Sequence, residues 1–149
     1  MDYLKGLLDN RILIAALVGW VTAQIAKTVV YLIINRTFDP ERLVGSGGMP
    51  SSHAATVCAL TTAAAKGYGT GSFQFAISFI FAAVVLYDAR GVRLETGKQA
   101  VTIRAIVDFL KEGTAIELPD LNLKELVGHT PFQVLIGSLL GILIGILLG

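Results

Sequence analysis

The chain has 149 residues, 54% of them hydrophobic and only 15% charged, with a formal net charge of +1. Soluble globular domains carry about 25% charged residues, so this composition excludes an ordinary soluble domain, and the near-zero charge offers no electrostatic footprint for nucleic acid. The single cysteine, Cys58, excludes an internal disulfide framework and reads as a small buried hydrophobe.

The length suits one membrane domain over residues 1–149, and the apolar residues fall in long runs of the kind that span bilayers. The first run begins at Ile12, is longer than the apolar core of a signal peptide, and meets no small-residue cleavage site before Lys27. It is predicted as a span from about Arg11 to Asn35. Gln24 and Lys27 share one face of it, and a lysine that deep must face protein, water or the interface.

A polar loop from Thr37 to Ser52 follows, and then a second apolar run, Ala54 to Ala65, which is short for a full span. Lys66 to Ser72 is a Gly-rich turn. The third span is predicted over Phe73 to Leu86 and ends in Tyr87-Asp88-Ala89-Arg90-Gly91-Val92-Arg93. Within the long stretch that follows, Gln99 to Lys111 has the spacing of an amphipathic helix in the interface or over the site, with Gly113 as its stop and a loop over 112–123. The last span covers Phe132 to Gly149. Its glycines, Gly137, Gly141, Gly145 and Gly149, recur every fourth residue and form one stripe, suited to close helix packing within the chain or between protomers.

The predicted fold is therefore all-α, a multi-pass helical bundle of about four spans with an interfacial helix. Four spans place both termini on one side and the polar loops on the other. The loop side carries Arg36, Arg42, Arg90, Arg93, Lys98, Arg104, Lys111 and Lys124, against Lys5, Arg11 and Lys66 on the terminal side. The positive-inside rule then puts the polar loops in the cytoplasm.

Three groups of residues are suited to chemistry. Gly47-Gly48-Met49-Pro50-Ser51-Ser52-His53 leads into an apolar helix. Its glycines allow close backbone approach, proline and serine suit a helix start, and a helix N-terminus offers N–H groups to a phosphate. His53 stands at the edge of that pocket, able to move a proton near neutral pH; the plainer reading is a helix cap with a hydrogen-bonded histidine. Asp88, Arg90 and Arg93 close the third span. Arg93 is the better candidate for gripping phosphate, Arg90 reads as a membrane anchor, and Asp88 as a carboxylate that orients a base or pairs with an arginine. Before the last span stands Gly128-His129-Thr130-Pro131-Phe132-Gln133, where Thr130 is a plausible N-cap and Pro131 the first helical residue. His129 lies beside that second N-terminus, and the alternative is a loop histidine at a cap.

Pro50-Ser51-Ser52-His53 is similar to the Pro-Ser-Gly-His motif of the type-2 phosphatidic acid phosphatases and vanadium-dependent haloperoxidases. With Tyr87-Asp88-Ala89, Gly91-Val92-Arg93 and Gly128-His129-Thr130-Pro131, the whole chain resembles their divergent short branch of acid phosphatase/haloperoxidase-related membrane proteins. The resemblance implies that Lys27 binds phosphate, that Ser51 and Ser52 cradle it, that His53 protonates the leaving group and that His129 attacks phosphorus. The chain departs from the pattern in three places. Arg36 lies further from Lys27 than a first-motif arginine. Only Lys124 or Arg93 is available in place of an arginine before His129. Gln133 holds the position of the orienting aspartate, which leaves Asp88 or Glu125 to supply the charge.

The leading expectation is a phosphatase or phosphotransferase acting on a lipid phosphate through a phosphohistidine, with no metal or cofactor. Its catalytic residues would be His53, His129 and Asp88, and its binding residues Lys27, Gly48, Ser51, Ser52 and Arg93. The alternatives are a catalytically degenerate lipid-phosphate-binding module and an assembly factor that forms homo-oligomers through Gly137, Gly141 and Gly145. The expected partners are that substrate and the surrounding membrane lipids.

Overall fold

A computed structural model of the chain describes residues 2–38, 40, 48–113 and 129–149. Among these residues the secondary structure is helical throughout: α1 (Asp2–Leu8), α2 (Arg11–Asn35), α3 (Ser52–Tyr68), α4 (Phe73–Arg90), α5 (Val92–Gly113) and α6 (Pro131–Leu148). Each long apolar helix begins at a side-chain cap. Asn10 accepts from the N–H of Leu13, Ser51 from Ala54, Ser72 from Phe75 and Thr130 from Gln133. These short polar residues satisfy N–H groups that a helix start otherwise leaves bare. α2 stops at Arg36, in the left-handed region at φ 54°, with its N–H bonded to the Leu32 carbonyl.

The interior is made of small residues. Ala15, Ala16, Ala23, Ala54, Ala55, Ala59, Ala63 and Ala64 are buried, while Leu17, Ile33, Phe79, Ile80, Leu139 and Leu143 face outward. In lipid, large apolar side chains gain nothing by turning inward, and helices associate by close backbone approach instead. This inside-out pattern, the helical backbone, and three stretches long and apolar enough to cross a membrane (Arg11–Asn35, Phe73–Leu110 and Pro131–Leu148) make the chain an integral membrane helical bundle. The 17-residue α3 is the fourth helix of the bundle and is enclosed by α2, α4 and α6.

The glycine stripe of α6 lies on α3. A Cβ at Gly137 would strike the Ser51 carbonyl oxygen, and one at Gly141 the Ala55 carbonyl oxygen; at Gly145 it would come 2.6 Å from Thr62 Cβ. Position rises along both helices together, so α3 and α6 run parallel. The packing takes the intramolecular of the two uses the stripe allows. Gly19 of α2 meets Ala55 and Ala59, and the Thr61 hydroxyl of α3 donates to Val57 and Ser78 carbonyls at 2.8 and 3.0 Å. At the far end, Lys66 Nζ donates to the Ile146 carbonyl at 2.8 Å.

Most differences from the sequence expectation concern element ends. α3 continues through Lys66 and Gly67 to Tyr68, because the Lys66 ammonium finds a carbonyl on α6. α4 runs four residues past Leu86 to Arg90, and α5 starts at Val92 rather than Gln99. α1 was not anticipated. The expected loop residues at 41–47 and 114–128, with Gly47, Arg42, Lys124, Glu125 and Gly128, lie outside the described residues.

Candidate active site

At one end of the bundle the N-termini of α3 and α6 converge with the C-terminal halves of α2 and α4. The Ser51 N–H donates to the Gln133 carbonyl at 3.1 Å, which locks the two starts side by side. The His129 N–H reaches the Ala89 carbonyl on the last turn of α4 at 3.4 Å. Two parallel helices thus present their positive ends together, an arrangement that favours an anion.

Lys27 is 2% exposed and eight residues before the end of α2, about 12 Å along the helix. Its ammonium donates to Gln24 Oε1 at 2.5 Å, from the buried residue one turn earlier. Gly48 lies over its aliphatic stem. At φ +81° the backbone of Gly48 suits glycine, and an added Cβ would come 3.1 Å from Lys27 Cγ. A cis Met49-Pro50 peptide then leads into Ser51, which is fully buried, and Ser52, which is 4% exposed.

His129 is 1% exposed, and its ring centroid lies 6.2 Å from that of His53, with the rings inclined at 61°. Its Nδ1 is 3.3 Å from Gln133 Oε1. The same oxygen accepts the Thr130 N–H at 3.1 Å, closing a capping box. Cap and histidine are therefore held by one side chain. The ring is also hydrogen-bonded with the Gly48 backbone, so the α6 cap and the glycine turn both hold it.

Burial pushes the His129 ring below the ordinary imidazole range. The Gln133 hydrogen bond and the Gly48 backbone oppose the shift, while the Lys27 and His53 charges reinforce it, and the net direction is down.

Of the residues singled out in the sequence, Lys27, Gly48, Ser51, Ser52, His53 and His129 come together. Asp88 is half-buried on the last turn of α4, next to Ala89. Arg93 falls in the first turn of α5, and its side chain lies outside the described residues. Gln24, noted on the Lys27 face, and Gln133, noted in the place of the orienting aspartate, join them as hydrogen-bond partners of Lys27 and His129. The sequence marks Gln24 by its place one turn before Lys27, and Gln133 by its place four residues after His129.

Residues 8–144 match a protein family described as the divergent PAP2 family. The chain is also 39% identical over 151 aligned positions to the uncharacterized membrane protein YuiD of Bacillus subtilis (strain 168), an alignment covering 95% of this chain and 96% of YuiD. No solved structure matches it.

Proposed function

The chain belongs to the divergent PAP2 family, and from that premise we propose that it is a membrane-embedded phosphatase or phosphotransferase that acts on a phosphorylated lipid through a phosphohistidine intermediate. The observation that carries this reading is the pair of histidine rings 6.2 Å apart where two helix N-termini meet a buried lysine. In it, Lys27 and the N–H groups opening α3 hold the phosphoryl oxygens, with Ser51 and Ser52 lining the cradle. His129 Nε2 attacks phosphorus while Gln133 holds Nδ1–H, and the P–O bond to the lipid breaks as His53 gives its proton to the leaving alkoxide. Water then attacks the phosphohistidine, His53 takes the water proton, and inorganic phosphate leaves; an acceptor alcohol in place of water makes the step a transfer. Asp88 and Arg93 add charge from the α4–α5 junction. The site faces the cytoplasm in this reading, as the basic loops favour.

The test is phosphate release by the full chain in mild detergent from phosphatidate and isoprenyl phosphate. His129→Ala and His53→Ala should each lower release by at least a hundredfold with helicity unchanged. Acid-labile, base-stable phosphate on the protein should be present in wild type and absent in His129→Ala. Undiminished release in His129→Ala would remove it as nucleophile.

A second reading draws on Gln133. An amide orients an imidazole but does not stabilise its cation as a carboxylate does, which favours a module that binds lipid phosphate without turnover. Saturable phosphatidate binding with no release from any substrate would select it.

A further inference from the structure

Two contacts fix where Lys27 stands against α3. Gly19 of α2 meets Ala55 and Ala59, and Lys27, further along α2, lies under Gly48, which precedes α3. Residue numbers rise along one segment as they fall along the other, so α2 and α3 run antiparallel. Gln24 is five residues beyond Gly19, about 7.5 Å, and so stands level with Ser52 in the first turn of α3. The Lys27 backbone is about 4.5 Å nearer the site end, level with the turn before that helix.

A lysine in an apolar helix gains by turning its ammonium toward the nearer water. For Lys27 that is the C-terminal end of α2, eight residues away. The ammonium is bonded in the other direction, to Gln24 Oε1 one turn earlier, at 2.5 Å. Lys27 is 2% exposed and Gln24 5%. The Gln24 turn is itself tied, its main-chain carbonyl accepting the Thr28 hydroxyl at 2.9 Å. Side chains on a helix lean toward its N-terminus, so the Lys27 stem leads from the level of Gly48 toward that of Ser52. A buried ammonium needs an acceptor, and any acceptor on that face meets the need. An acceptor one turn before Lys27 also sets the depth of the charge, at the turn whose N–H groups open the proposed site.

We propose that Gln24 is a positioning residue: it holds the Lys27 ammonium level with the first turn of α3, where a phosphoryl group meets both, and keeps it from turning out to water. The inference rests on the phosphate-site reading above and adds what fixes the cation within it.

The experiment has two readouts on the full chain in mild detergent. Equilibrium binding of phosphatidate reads the site. Acylation of Lys27 by a water-soluble N-hydroxysuccinimide ester, followed by mass spectrometry with the exposed Lys5 as reference, reads the ammonium with no ligand present. Gln24→Leu should weaken phosphatidate binding about tenfold and raise Lys27 acylation toward that of Lys5. Thr28→Val removes a buried hydrogen bond from the same segment without removing the Lys27 acceptor, and should do neither. In a Lys27→Met background Gln24→Leu should weaken binding no further, a result that a merely structural role for Gln24 does not produce. Gln24→Asn, one methylene shorter in reach, should move both readouts in the same direction and carries the test if Gln24→Leu does not fold. Wild-type affinity in Gln24→Leu, or the same loss with and without the Lys27 charge, overturns the inference even if phosphate release is robust. Lys27 acylation that rises in Gln24→Leu, where the wild type binds no phosphatidate, upholds the hold on the ammonium and overturns the phosphate site instead.

Discussion

The parallel α3–α6 pair meets water-exposed and buried charge in opposite ways at its two ends. At the C-terminal end an exposed lysine, Lys66, donates directly to the Ile146 carbonyl, so cation and helix terminus answer each other within the protein. At the N-terminal end the sign is reversed. Two positive helix starts stand beside a cation, Lys27, that is itself buried and held by a neutral partner, Gln24. In the proposed function this is the end that receives the phosphate.

Four substitutions break or sharpen that contrast, from the largest effect to the smallest. Lys27→Met keeps the stem under Gly48 and deletes the charge. It should weaken phosphate-ester binding roughly ten- to hundredfold, the worth of a charge-assisted hydrogen bond, as read by equilibrium binding in detergent. Gly141→Leu forces a side chain onto the Ala55 carbonyl and should lower stability by about 1–3 kcal/mol or more, measured as a fall in the detergent melting temperature. Lys27→Met should leave that temperature nearly in place, which separates the anion site from the packing seam.

Gln133→Glu places a carboxylate beside the His129 ring. The pH–rate profile of the wild type should show an acid limb below about 6.5, because His129 is held down; the variant should move that limb upward by about one unit or more. The stability linkage has a matching sign. A ring whose folded value is depressed stays neutral while the unfolded chain takes up a proton, so its contribution is present above about 6.5 and is lost as pH falls toward the folded value. The smallest effect belongs to Lys66→Met. Loss of its hydrogen bond should cost about 0.3–1 kcal/mol by denaturation and leave phosphate release unchanged.

Much of this arrangement is legible in the sequence where the cause is local. Composition and long apolar runs state the class of fold. α2 falls on Arg11–Asn35 as predicted, and the α6 start is read from Thr130-Pro131 because a cap and a first-turn proline are local signals. The two histidines are found the same way, each one or two residues from a helix N-cap. Lys66 and Gly67 look like a break for want of knowing that a carbonyl on α6 waits for the ammonium. The start of α5 is obscured by the mixed polarity of 92–98. What no local pattern encodes is which helix is enclosed. That α3 is central and that it runs parallel to α6 are long-range facts, set by glycine and alanine contacts across the bundle.

The enclosure of α3 also orders the protein's manufacture. α3 leaves the ribosome well before α6, and residues 66 and 146, which end as hydrogen-bonded partners, are 80 positions apart in the chain. At about 5–20 residues per second, α3 waits roughly 4–16 seconds in the translocation machinery or the lipid before the helix that seals its glycine seam has been made. For that interval Ser51 has no Gln133 carbonyl to bond and His129 does not yet exist. A quality-control factor that binds half-built bundles would therefore find its target in the α3 face that α6 later covers, and the two histidines are among the last parts of the protein to be brought together.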